Sequence, residues 1–221
     1  MQGKLIVLEG IDGSGKSTQF ELLTNRLENE GVAFRKLVFP RYNESSSSLL
    51  KSYLNGDFGK NPGDVSPYAA STFFFVDRFA SFKTDWGEFY KNGGLLICDR
   101  YTSSNAIHQG AKLPYNELVG FLDWLCDFEF RIMELPAPDL VLYMDIDLDT
   151  CLSQMKLRRE KTGIQGDIHE THIEYLSNCL VAGNIAADKL GWTRVSCLEN
   201  GHMRSVDEIG GDIYNIIKEV L

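Results

Sequence analysis

The chain is short of positive charge, of paired cysteines and of long apolar runs, and each shortage removes a class of function. Among its 221 residues, 22 lysines and arginines stand against 31 aspartates and glutamates, a net charge of −9. A nucleic-acid or anionic-membrane partner needs a broad cationic face, so neither is expected. The five cysteines (98, 126, 151, 179 and 197) form no CxxC pair and sit in apolar runs. That spacing suits buried thiols in a reducing compartment, with neither a disulfide framework nor a zinc site. No apolar run has the length of a bilayer span. The first strand is expected within a few residues of Met1, which leaves no room for a signal peptide, and the expected location is cytoplasmic. No internal repeat is present, and the Ser45–Ser48 run leads at once into Leu49, Leu50, Tyr53 and Leu54, so it reads as a helix cap and not as a linker.

What the chain does have is core. With 43% hydrophobic residues it is expected to fold as one domain, 1–221. Strand and helix patterns alternate, which implies α/β with a parallel sheet. Strands are expected at about 4–9, 34–39, 95–98, 140–146 and 193–198. Helices are expected at about 16–30, 67–91, 115–132, 149–158, 168–189 and 205–220, with a short one ending at Asn55-Gly56. The 67–91 helix carries Phe73, Phe74, Phe75, Phe79, Phe82, Trp86 and Phe89, more aromatic surface than one core stripe needs. Most of these rings are expected in the core; the surplus would serve a dimer interface or stack on a base.

The stretch Gly10-Ile11-Asp12-Gly13-Ser14-Gly15-Lys16-Ser17-Thr18 follows the apolar run Leu5-Ile6-Val7-Leu8 and fits G-x-x-x-x-G-K-[ST]. Glycine lets the backbone approach a phosphate, and the N–H groups and dipole of the following helix favour an anion. Lys16 would reach the β/γ-phosphates and Ser17 would hold Mg²⁺. Asp99 stands at the carboxyl end of a buried strand, where open α/β sheets bind ligands, and would share that Mg²⁺. Arg41, just past the second strand, and Arg100, just past the third, are expected on the same edge of the sheet and suggest a second phosphate site, because guanidinium grips phosphate in a bidentate way. A phosphate acceptor needs such cations; a hydroxyl acceptor needs a general base instead, for which Glu44 is the candidate. Arg158, Arg159 and Lys161 lie on a cationic segment that either closes over the site as a lid, about 156–167, or is a solvated helix end.

Four stretches together resemble the thymidylate kinase family of nucleoside monophosphate kinases: Leu8 to Thr18, Phe39-Pro40-Arg41, Asp77-Arg78, and Ile97-Cys98-Asp99-Arg100-Tyr101-Thr102-Ser103-Ser104. The resemblance covers essentially the whole length. It implies a P-loop three-layer sandwich and transfer of the γ-phosphoryl of ATP to dTMP, with Mg²⁺ required and a homodimer expected. It further implies that Asp12 meets the acceptor sugar and phosphate, that Arg41 and Arg100 clamp the acceptor phosphate, and that Phe74 stacks on thymine. Arg78 would donate to a thymine carbonyl, Ser104 and Gln109 would face the pyrimidine edge, and the loop from Asn200 to Arg204 would hold adenine. Two departures stand out. Gly13 occupies the place where some members carry a catalytic arginine, which passes that role to Arg158 or Arg159. His108 replaces the tyrosine or phenylalanine that crowds the ribose 2′ position. A deoxynucleoside kinase, another pyrimidine nucleoside monophosphate kinase and a nucleotide-binding switch are the alternatives; no Asn/Thr-Lys-x-Asp guanine signature supports the last.

Overall fold

In the computed structural model, residues 2–162 and 173–221 are described. Strand β1 (Lys4–Glu9) enters the phosphate loop and helix α1 (Lys16–Asn29), followed by β2 (Phe34–Val38) and α2 (Ser48–Leu54). Helix α3 (Pro67–Ser81) passes through a π-helical turn at Phe82–Trp86 into α4 (Gly87–Lys91). Next come β3 (Leu95–Asp99), α5 (Thr102–His108) and α6 (Tyr115–Cys126), which ends in a second π-turn, Asp127–Ile132. Strand β4 (Leu140–Asp145), α7 (Leu148–Thr162), α8 (Ile173–Leu190) and β5 (Thr193–Ser196) follow, then the two-residue strands β6 (Leu198–Glu199) and β7 (His202–Met203), and α9 (Val206–Val220).

The five long strands form one parallel sheet in the order β2-β3-β1-β4-β5. Alternate residues of β1 point to opposite faces, as the strand period requires. Leu5 and Val7 pack with Trp86, Tyr90 and Tyr101 on one side. Ile6 and Leu8 pack with Leu23, Phe121, Cys179 and Ile213 on the other. Helices therefore cover both faces, the three-layer sandwich expected. Among the described residues no helix is long and apolar enough to cross a membrane.

Several expected boundaries are corrected. The 67–91 and 115–132 helices each contain a π-turn, a local winding change that hydrophobic spacing does not reveal. The 149–158 helix runs on to Thr162, because no breaker precedes Gly163. The 193–198 strand stops at Ser196, and the chain beyond makes the β6–β7 hairpin, too short for periodicity to register. The start of the 168–189 helix and the lid from 163 onward lie outside the described residues, as does the Lys161 side chain.

Candidate active site

The site lies at the carboxyl edge of the sheet, where the order switches about β1. The turn from β1 into α1 places Gly13 at φ +85°, and a Cβ there would stand 2.5 Å from the Cys151 carbonyl oxygen. That close approach to α7 leaves no room for any side chain, and it explains why an arginine cannot sit at this position. Gly15, also left-handed, begins α1. Met203 from the β6–β7 hairpin lies 3.6 Å from where a Gly15 Cβ would be, so the Asn200–Arg204 hairpin flanks the loop.

Because Leu8 and Asp99 are register partners on β1 and β3, Asp99 emerges one strand away from the loop. Lys16 Nζ donates to Asp99 Oδ1 in a buried ion pair. Burial lowers the Lys16 pKa and the nearby Arg100 cation adds to that, while Asp99 and Glu9 oppose both. Ser17 Oγ faces Asp99 Oδ2 at 3.5 Å. A hydroxyl and a carboxylate oxygen so placed are hard donors of the kind Mg²⁺ takes.

Arg100 turns the chain with φ +68°, a region that non-glycine residues seldom occupy and that is found at functional sites. Its N–H donates to the Leu8 carbonyl (3.2 Å) and its own carbonyl accepts from Cys98 Sγ (2.8 Å). The guanidinium then lies between Asp12 Oδ1 (2.6 Å) and His108 Nε2 (3.0 Å), with Glu9 Oε1 at 3.7 Å. Burial works against its charge, but the carboxylates of Asp12, Glu9 and Asp99 outweigh it and raise its pKa further. Glu9 is wholly buried and accepts from the Gly10 N–H (2.9 Å), Ser103 Oγ (2.8 Å) and Ser104 Oγ (2.7 Å), which ties the phosphate loop to the start of α5.

Two hollows meet here. One, of about 360 Å³, is lined on its inner side by Phe74, Ser104, Asn105, His108 and Gln109. The other, of about 340 Å³, follows the phosphate loop from Ile11 to Thr18 and the face of α7. Asp12, Lys16, Ser17, Arg100 and Arg158 line both. A cation-rich junction between two polar hollows can hold two phosphorylated ligands end to end and offset the repulsion between them.

The comparisons with known proteins bear on this geometry. The thymidylate kinase family model matches residues 8–180. A thymidylate kinase of Mycobacterium tuberculosis (strain CDC 1551 / Oshkosh) is 30% identical over 158 residues, 71% of this chain and 72% of the relative. One from Brachyspira hyodysenteriae is 34% identical over 159 residues, 72% of this chain and 71% of the relative. The chain belongs to the thymidylate kinase family. Its reaction is accordingly the ATP-dependent phosphorylation of dTMP to dTDP. A solved thymidylate kinase from Candida albicans superposes with a TM-score of 0.73 at 22% identity, covering 99% of this chain and 92% of that one, which shows the shared fold.

Within this chain the expected site residues divide into two groups. Gly10 to Thr18, Phe74, Asp99, Arg100, Ser104, His108, Gln109 and Arg158 gather around the hollows; Gly10 itself is buried at the loop's start. Three arginines stand elsewhere. Arg41 lies on the rim outside the lining, its guanidinium paired with Glu44 (3.3 Å) and near Asp85 (4.0 Å), while its N–H donates to Asp77 Oδ2 (2.7 Å). Arg78 is buried behind the cleft, bidentate to Glu129, which also accepts from Thr102 Oγ1 (2.6 Å). Arg159 is exposed and lines neither hollow. Sequence reasoning missed Glu9 and Asn105. A carboxylate closing an otherwise apolar strand was a usable signal for Glu9; Asn105 offered none beyond its place one turn into α5.

Proposed function

We propose that the inner hollow takes dTMP and the loop hollow takes ATP with Mg²⁺, and that the five shared residues form the transfer junction. The observation that carries this reading is that Asp12, Lys16, Ser17, Arg100 and Arg158 line both hollows at once. Lys16 and the loop N–H groups receive the donor's β- and γ-phosphates, and Arg158 rather than Arg159 meets the transferring group. Ser17 and Asp99 would hold Mg²⁺, which neutralises charge on the donor oxygens when bound. Arg100 grips the acceptor phosphate, and Arg41 joins it by leaving Glu44. Face and edge recognition of the base fall to Phe74 and to Gln109, whose buried amide N and O have no partner among the described residues and suit a base edge carrying both N–H and C=O. Arg78 supports that pocket from behind.

An already ionised acceptor needs no base, and Glu44 is an exposed partner of Arg41 outside the lining, which disfavours a hydroxyl acceptor. We further infer a cytoplasmic homodimer; the exposed apolar side chains Tyr68, Val76 and Val119 on α3 and α6 and the five free thiols support it. The test is ADP release across thymidine and a panel of nucleoside monophosphates. Turnover at least 10-fold faster with dTMP than with any other acceptor is expected; release with thymidine but not dTMP overturns the acceptor assignment.

A further inference from the structure

The contact between Arg100 and His108 fixes more than a shape. Arg100 Nη1 and His108 Nε2 lie 3.0 Å apart. A guanidinium nitrogen carries only donors and stays charged, so the ring nitrogen facing it must supply a lone pair. The ring is then neutral, with its hydrogen on Nδ1. Nδ1 faces Cys179 Sγ at 3.6 Å, and burial pushes that thiol well up, so sulfur remains a neutral acceptor. One turn earlier on α8, the Tyr175 hydroxyl donates to the His108 carbonyl (2.5 Å). The histidine is thus pinned from α8 through both backbone and ring, with its lone pair aimed at Arg100.

Among the described residues the charged groups around it sort clearly. On the loop and β1 side Arg100 is flanked by Asp12 and Glu9. On the α8 side stand the uncharged Cys179 and Tyr175. Tyr42 and Arg158 line the same hollow as the ring. A protonated imidazole would present N–H groups at both nitrogens and set one cation against another at hydrogen-bond distance, so the observed contact exists only for the neutral ring.

We propose that His108 is a positioning residue for the reaction: its neutral Nε2 holds the Arg100 guanidinium in the orientation that receives the acceptor phosphate. A phenylalanine or tyrosine ring at this place fills the same space without an acceptor nitrogen. The inference rests on the reading that Arg100 grips that phosphate.

The test is steady-state kinetics from pH 5.5 to 8.5 on the wild-type enzyme and on Arg100→Ala, His108→Phe and His108→Gln. At pH 7.5, His108→Phe is expected to raise the KM for dTMP about 10-fold, or about 1.4 kcal/mol, with the KM for ATP within about twofold. His108→Gln, whose amide oxygen accepts, is expected to recover most of that loss. Wild-type KM for dTMP should climb towards the acid end of that range, where protonation of the ring removes the acceptor that Arg100 needs. The second ionisation of the dTMP phosphate, near pH 6, is common to every variant and cancels in the comparison. A wild-type KM and an unchanged pH profile in His108→Phe overturn the proposal. Should that variant not fold, His108→Gln decides: loss of the acid-side climb supports the role, and retention overturns it. If Arg100→Ala leaves the KM for dTMP unchanged, the clamp assignment itself fails, whatever the histidine variants do.

Discussion

The phosphate loop and the acceptor cleft lie side by side, yet they are built by opposite means. The loop is one run of nine residues whose grip comes from backbone N–H groups, and its shape is fixed by close packing, as at Gly13 against the Cys151 carbonyl. The cleft is assembled from β2's end, α3, the β3–α5 turn and α7, and it works through side chains. Three arginines in or beside it already hold carboxylates: Arg41 with Glu44, Arg78 with Glu129, Arg100 with Asp12. The loop's backbone cradle is therefore ready as it stands, with only Lys16 held by Asp99, whereas the cleft depends throughout on ion pairs that orient, restrain or release its cations.

The largest effect should come from the ready half. Lys16→Ala is expected to lower kcat about 10³-fold, the order seen when a preorganised charge on a transition state is removed. Binding of dTMP should change less than about threefold by calorimetry; an equal loss of dTMP affinity would break the division between the halves. Next comes Glu129→Gln, which leaves the Arg78 guanidinium buried without its full counter-charge. Breaking such a pair costs about 3–5 kcal/mol, or a fall in Tm of about 6–20 °C for a chain of this size. A Tm within about 2 °C of wild type would show that the pair is not structural. Arg41→Ala is a smaller lesion, because a part-exposed pair at 3.3 Å contributes little by itself. It is expected to reduce kcat/KM for dTMP about 10- to 100-fold with the KM for ATP within twofold. Equal loss on both substrates would remove Arg41 from the acceptor side.

The same contrast explains what could be read from the chain. The loop, Asp99 and the places of the five strands along the chain were legible because each depends on neighbours in sequence: glycine spacing, an apolar run, a carboxylate at its end. Arg100 was legible as a cation, but its left-handed backbone has no sequence signature, and its acceptors Asp12 and His108 come from separate segments. Arg78 reads in sequence as a base contact. Only the fold reveals Glu129, 51 residues away, as its partner. Choosing Arg158 over Arg159 likewise required the phase of α7 against the loop, which a run of like charges does not carry.

The least effect, and the finest test of the contrast, concerns Lys112, in the turn that follows α5 behind the cleft. Its ammonium donates to the Tyr53 hydroxyl (2.8 Å) and the Val65 carbonyl (3.0 Å) and lies 5.0 Å from the centre of the Tyr53 ring. These acceptors are neutral, and burial pushes its pKa down to about 8. An unfolded lysine titrates near 10.4. Between the two values the unfolded chain binds the extra proton, so stability rises with pH across that window. Below about pH 8 both states are protonated and the burial penalty is present in full. Against Lys112→Met, which cannot titrate, the wild type should therefore gain about 1–2 kcal/mol between pH 7 and pH 10, after discounting for the partial exposure of the amine. Urea melts at both pH values read this directly. A difference that stays flat with pH would mean the ammonium keeps its water, and that the acceptor side is more open than its ion pairs suggest.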